Sequence, residues 1–153
     1  MSSPLKLLPD ELILKIFSKV SAKDRSVLSL VSRRFHKISL DLSLWKSVIV
    51  DKMSFEKAQK VLERCTLLDR LVTQHAQHIV TAVNSSKKLR SLQWFYVGPS
   101  DLDELAVSVL NEKGQNLRKL TLTVMSIPPD LLQLAGKCLS RITDLAIIFN
   151  LED

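Results

Sequence analysis

Apolar residues follow two different rhythms along this chain. Between residues 9 and 45 they fall at helical intervals. Leu12, Ile13, Ile16, Phe17 and Val20 recur one, three and four positions apart, which predicts an amphipathic helix. Pro9 stands where that helix should start, with Asp10 and Glu11 in its first turn. Proline is tolerated there because that N–H has no intrahelical partner, and the acids suit the positive end of the dipole. Ser21 followed by Asp24 is close to a capping box, with Asp in place of Glu or Gln, and predicts a second helix whose apolar face is Val27, Leu28, Leu30 and Val31. Phe35 and Ile38 predict a short third helix ahead of Leu44-Trp45. Three such helices bury little surface alone, so a partner or a following domain is expected to cover part of the stripe. An apolar helix face at an N-terminus is suited to filling a partner's groove.

From Trp45 onward the rhythm becomes Leu-x-x-Leu-x-apolar. Leu89-x-x-Leu92-x-Trp94, Leu117-x-x-Leu120-x-Leu122 and Ile142-x-x-Leu145-x-Ile147 match it outright. Leu68-x-x-Leu71-x-Thr73 ends on a polar residue, and Trp45-x-x-Val48-x-Val50 supplies a first rung. The first positions lie 23, 21, 28 and 25 residues apart, a spacing typical of leucine-rich repeats. Helical signals fill the intervals. Ser54 precedes Phe55, Ala58, Val61 and Leu62, and Ala76, Ile79, Val80 and Val83 share a face. Ser100 caps Leu102, Leu105, Ala106, Val109 and Leu110, with Gly114 behind them as a C-terminal glycine. Pro128-Pro129-Asp130 opens Leu131, Leu132, Leu134 and Ala135. Short strands alternating with helices predict a curved α/β solenoid.

Strand alternation then sorts the side chains. Leu71, Leu92, Leu120 and Leu145 are expected to point inward, with Val72 and Gln74 among their outward neighbours. The outward row that forms a candidate binding face is Gln93, Phe95, Lys119, Thr121, Thr123, Asp144 and Ile148, with Ser91 and Ala146 between them. Its mixture of apolar groups, hydroxyls and one charge of each sign suits a protein or peptide better than a phosphate backbone. The chain ends at Asp153, just after the apolar run Leu145–Phe149. Solenoids need a polar cap, so the repeats are expected either to be truncated or to be covered here by a partner.

Composition narrows the chemistry. Of 153 residues, 46% are hydrophobic but only 5% aromatic, so the core must be aliphatic. The net charge of +6 is uneven: residues 1–50 carry 9 Lys or Arg against 4 Asp or Glu, and the remainder 13 against 12. The densest basic run, Arg33-Arg34-Phe35-His36-Lys37, reads as solvated or as serving a helix C-terminal dipole, not as a nucleic-acid site. No apolar run is long enough to span a membrane, and Pro9 with the acids beside it interrupts anything like a signal peptide. Two cysteines, Cys65 and Cys138, are too few for a disulfide scaffold, and an intracellular setting, cytoplasm or nucleus, is expected. The 3 glycines form no phosphate loop. His75 and His78 lie three apart, but no cysteine or carboxylate joins them in sequence, and no metal, cofactor or catalytic set is expected.

The residues of the first third also form an ordered set. Leu8-Pro9-Asp10-Glu11-Leu12, Ile16-Phe17, Val20, Asp24, Val31-Ser32-Arg33-Arg34-Phe35, Ile38 and Leu44-Trp45 resemble the F-box motif in order and spacing over residues 8–45. Ser32 stands where many F-boxes have cysteine, a small-for-small exchange. Likewise, Cys65-x-x-Leu68-x-x-Leu71 resembles the cysteine-type leucine-rich repeat often found behind an F-box, with Ser86, Gly114 and Leu139 at the equivalent positions. The resemblance implies a non-catalytic, substrate-recognition subunit of an SCF-type cullin–RING ubiquitin ligase. Its partners would be a Skp-type adaptor, the cullin and a protein substrate. Carried over by position, Leu8, Pro9, Glu11, Leu12, Ile16 and Phe17 would contact the adaptor, and Val31, Phe35 and Trp45 would mainly shape the module. Truncating Phe17 would then remove an interface anchor worth about 2 kcal/mol, roughly 30-fold in affinity. The expected fold is α/β: a three-helix F-box over residues 1–45, then four to five short, degenerate leucine-rich repeats over 46–153. The alternative is a decoy that binds the adaptor and delivers no substrate.

Overall fold

A computed structural model describes residues 4–50, 53–95, 101–124 and 136–150, with backbone only for 101–103. The chain divides into two compact units, Met1–Trp45 and Lys46–Asp153.

The first unit is helical. A 3-10 turn, Pro4–Leu7, leads into α1 (Asp10–Phe17), followed by α2 (Ala22–Leu28), α3 (Arg33–Ser39) and a second 3-10 turn, Leu42–Trp45. The cap expected at Ser21 is in place. Ser21 Oγ accepts the Asp24 N–H at 3.1 Å and donates to the Asp24 carboxylate at 2.8 Å. Ser32 turns out to be a cap as well, accepting the Phe35 N–H at 3.1 Å; a hydroxyl here satisfies an N–H that a helix start otherwise leaves unpaired. Both α1 and α2 pack on α3. The core is small: Ile13, Phe17, Phe35, Ile38 and Leu44, with Leu8, Leu14, Leu28 and Trp45 packed against it. Phe17 meets Phe35 edge to face at 5.4 Å between ring centres.

Two expectations fail in this unit. The helix α2 ends at Leu28, and the supposed apolar face beyond it turns outward: Val27, Leu30 and Val31 are all exposed, Val31 at 66% and Leu30 at 83%. The basic run opens α3 instead of closing a helix, which leaves a C-terminal dipole role only to His36 and Lys37, while Arg33, His36 and Lys37 are exposed as the solvated reading expects.

The second unit is a five-stranded sheet in the order β1-β2-β3-β4-β5, every neighbouring pair parallel. Its strands are β1 (Ser47–Ile49), β2 (Arg70–Thr73), β3 (Ser91–Phe95), β4 (Lys119–Val124) and β5 (Asp144–Phe149). Between them run α4 (Phe55–Arg64), α5 (Ala76–Ser85), α6 (Asp101–Lys113) and α7 (Gly136–Leu139). These helices contact one another in chain order and form a second layer. Ser54 caps α4, accepting the Lys57 N–H at 3.3 Å. The cap expected at Ser100 and the helix expected from Pro128-Pro129-Asp130 lie outside the described residues.

Register repeats the sequence spacing. Ser47 pairs with Arg70, Arg70 with Ser91, Ser91 with Lys119 and Lys119 with Asp144. These offsets are the same 23, 21, 28 and 25 residues that separate the Leu-x-x-Leu rungs. A backbone device recurs at the start of each strand. The carbonyls of Lys46, Asp69, Arg90 and Arg118 each accept two consecutive N–H groups from the next turn, at 2.8–3.1 Å. Inward residues Val48, Leu71, Leu92, Trp94, Leu120, Leu122 and Val124 are buried with Leu62, Leu68, Leu89, Leu117, Ile79 and Ala106. The cysteine and its equivalents turn the chain out of each helix. Ser86 Oγ donates to the carbonyls of Thr66 and Leu68 at 3.1 and 2.9 Å. Gly114 is needed for close approach, since a Cβ there would lie 2.6 Å from the Leu110 carbonyl oxygen.

Leu145 departs from expectation. On the edge strand β5 it is 48% exposed, not buried like Leu120. Val72, expected outward, is buried.

Candidate functional site

The helix α1 carries two apolar stripes, each an i, i+4 pair. Ile13 and Phe17 face the core, each 1% exposed. Leu12 and Ile16 face solvent at 47% and 44%. Of the six expected adaptor contacts, Pro9, Glu11, Leu12 and Ile16 are therefore accessible, and Leu8 is half-buried. Phe17 is not available to a partner, because its ring is enclosed against Phe35. It holds α1 on α3 instead. Among the three residues expected to shape the module, Phe35 is core and Trp45 half-buried, with Nε1–H donating to the Ser39 carbonyl at 3.2 Å. Val31 points outward and cannot shape the interior.

Two arginines organise this unit, and hydropathy alone does not reveal either. Arg34 reaches back from α3 to the start of α1. Its guanidinium lies 2.6 Å from the Asp10 carboxylate and also donates to the carbonyls of Lys6 and Leu8. This fixes the Leu8-Pro9-Asp10 segment from which the outer stripe begins. Arg25 is buried in α2, donates to the Leu44 carbonyl, and sits 4.9 Å from the centre of the Trp45 ring, a cation–π distance.

On the sheet, the expected outward row falls into lateral rows by register. Ser91, Lys119 and Asp144 align, as do Gln93, Thr121 and Ala146, and then Phe95, Thr123 and Ile148. Lys119 Nζ pairs with the Asp144 carboxylate at 3.4 Å. Gln93, Phe95, Thr121 and Thr123 are half-buried, while Lys119, Asp144 and Ile148 are exposed. Alternation in β4 runs exposed, buried, intermediate, buried, so this parallel sheet has one covered face and one open face. Parallel sheets with helices on both faces lack that alternation.

A groove of about 390 Å³ runs along the turns at the beginning of the strands, lined by Lys46, Leu67, Asp69, Lys88, Arg90 and Asn116. Arg90 forks onto the Asp69 carboxylate at 2.5 and 3.1 Å, which raises the arginine's already high pKa. Sequence reasoning missed this groove. Its signal is the residue following the first position of the first four rungs, which reads Lys46, Asp69, Arg90 and Arg118.

The histidines expected not to bind metal form an aromatic cluster. Phe55 stacks on His78 at 4.6 Å and meets His75 edge-on at 5.2 Å. His78 is buried, with Nε2 3.3 Å from the Phe55 carbonyl and Nδ1 3.1 Å from Thr73 Oγ1. A carbonyl can only accept, so Nε2 carries the proton and Nδ1 accepts from the threonine hydroxyl. This explains a polar residue at the end of the Leu68 rung. Burial, opposed by the Phe55 carbonyl and assisted by His75, lowers the His78 pKa. Burial likewise pushes the Cys138 thiol up, with Arg141 acting against it, the setting of an inert cysteine. No group of three or more metal-ligating side chains occurs among the described residues. No helix among them is long and apolar enough to cross a membrane.

Residues 5–51 match the family model described as F-box-like. The matched segment takes in the helical unit, including α1 with its outer stripe, and runs through β1. No curated protein matches the chain.

Proposed function

We propose that this protein is the substrate-recognition subunit of an SCF-type ubiquitin ligase. In this reading residues 1–45 are the F-box, and 46–153 are four to five short leucine-rich repeats. The observation that carries it is the F-box-like match over residues 5–51, laid over a helical unit that keeps Leu12 and Ile16 in solvent. With Leu8, Pro9 and Glu11 they form the adaptor-contacting set, and Leu30 and Val31 after α2 are exposed as well. Docking puts the chain on a Skp-type adaptor and, through it, on a cullin. The repeat reading is supported by register offsets equal to the rung spacing, and by the carbonyl device recurring at Lys46, Asp69, Arg90 and Arg118.

Function follows as proximity without chemistry. A substrate held on the open sheet face, at Gln93, Phe95, Lys119, Thr121, Thr123, Asp144 and Ile148, meets the ligase's transfer machinery at a raised effective concentration. The ubiquitin chemistry takes place on other subunits. Co-purification from cells tests this, comparing wild type with Leu8→Ala/Pro9→Ala and with Leu12→Asp/Ile16→Asp. Adaptor and cullin are expected with wild type and strongly reduced with both variants; undiminished capture contradicts the docking assignment. A bound partner whose lifetime shortens with wild type and not with the variants marks a receptor. A partner whose lifetime never changes marks the decoy alternative.

A further inference from the structure

The groove along the turns differs in charge from the unit that carries it. The five turn segments 46–47, 66–70, 87–91, 115–119 and 140–144 hold eight Lys or Arg and two Asp; the rest of residues 46–153 holds six and ten. Near-neutral overall, this unit therefore gathers its positive charge on the side where the strands begin. The repeat explains how residues so far apart in sequence meet. Lys46, Asp69 and Arg90 occupy one position of successive turns, and Leu67, Lys88 and Asn116 another. Each turn is tied to the next by the shared carbonyls of Lys46, Asp69 and Arg90, which sets neighbours about 4.8 Å apart. Further ties keep the wall in place: Asn116 Nδ2 donates to the Lys87 carbonyl at 2.6 Å, and Ser86 Oγ accepts the Lys88 N–H at 3.3 Å.

We propose that this groove binds an acidic peptide segment carrying an apolar side chain. Asp69 pairs with Arg90, so Lys46 and Lys88 supply the remaining positive charge of the lining. A ligand's carboxylates meet those two groups, while its apolar residue sits on Leu67. Nucleic acid fits less well. None of the six lining residues is aromatic, so bases find no stacking platform. The site shares no residue with the proposed adaptor-contacting set or with the candidate face of the sheet, so either can fail without the other.

The test is fluorescence anisotropy on the full chain. The probes are a short fluorescein-labelled peptide of glutamates with interspersed leucines, its glutamine counterpart, and an oligothymidylate. The groove variant is Lys46→Glu/Lys88→Glu. A control with the same charge change, Lys57→Glu/Lys60→Glu, alters exposed residues of α4. Circular dichroism confirms that both fold, and Lys46→Gln/Lys88→Gln serves in place of a reversal that does not. The glutamate peptide is expected to bind saturably and more weakly as salt rises. Its affinity should drop by about tenfold or more in the groove variant and by less than about twofold in the control. The proposal is overturned by any of four results: no binding of the glutamate peptide, equal binding of the glutamine peptide, equal loss in both variants, or a groove-dependent preference for oligothymidylate.

Discussion

The two units of this chain treat apolar side chains in opposite ways. In the helical unit, α1 sends Ile13 and Phe17 inward and leaves Leu12 and Ile16 in water. Five buried residues form its core, and comparably large ones (Leu7, Leu30, Val31) remain outside. The sheet unit instead buries Val48, Leu71, Leu92 and Leu120 across β1 to β4 and exposes mostly polar or charged side chains on its open face. A small core that leaves leucines exposed costs solubility, unless another protein covers them. A sheet whose inward side chains lie buried leaves fewer apolar groups for a partner to cover. Exposed apolar groups in the first unit belong to its helices and turns, whereas those at Leu145 and Phe149 lie on an edge strand.

Substitutions can break this contrast. The largest effect is expected at Phe17. Phe17→Ala removes the ring packed on Phe35 and should cost about 3–5 kcal/mol, enough to unfold the helical unit. Leu12→Ala, one turn away and exposed, should fall within about 0.5 kcal/mol of wild type. Urea titration followed by helical circular dichroism distinguishes them, and equal losses would erase the inner and outer stripes. In the sheet unit, Gly114→Ala places a Cβ against the Leu110 carbonyl. Relieving that clash should cost about 1–3 kcal/mol, read as a lower urea midpoint.

A smaller effect separates the two ends of one ion pair. Arg34→Ala loses carbonyl hydrogen bonds as well as Asp10 and should cost about 1 kcal/mol. Asp10→Asn loses only a surface charge partner and should cost less than about 0.5 kcal/mol. The last effect is a slope with pH. His78 binds a proton less readily folded than unfolded, since burial holds its pKa below the ordinary 6.5. Its contribution to stability is complete above that value and is lost as pH falls from there toward the folded pKa. Urea midpoints measured across that window should fall in wild type and fall less in His78→Gln.

Much of this architecture was legible in the residues, for identifiable reasons. Strand register is set by covalent spacing when each turn stacks on the last, so rung intervals translate directly into offsets such as Ser91 with Lys119. Caps at Ser21 and Ser54 are local, and local chemistry reads well. What failed depended on the third dimension. Periodicity marks Leu12, Ile13, Ile16 and Phe17 as apolar without telling which pair meets α3, so Phe17 passed for a contact residue. Val31 follows the helical interval from Val27, yet α2 ends at Leu28. Arg25 has no apolar period, and only Trp45 and the Leu44 carbonyl explain its burial. Lys46, Asp69 and Arg90 each read as a solvated charge until stacking brought them to one groove.

The central claim is that the outer stripe of α1 is a docking surface and the inner stripe is not. Calorimetric titration of a purified Skp-type adaptor into wild type and Leu12→Asp/Ile16→Asp tests it most directly, with urea midpoints measured in parallel. Loss of two anchors predicts an affinity lower by roughly 30-fold or more, about 2 kcal/mol, with the stability of the helical unit unchanged. Equal affinities for wild type and variant, at equal stability, would contradict it.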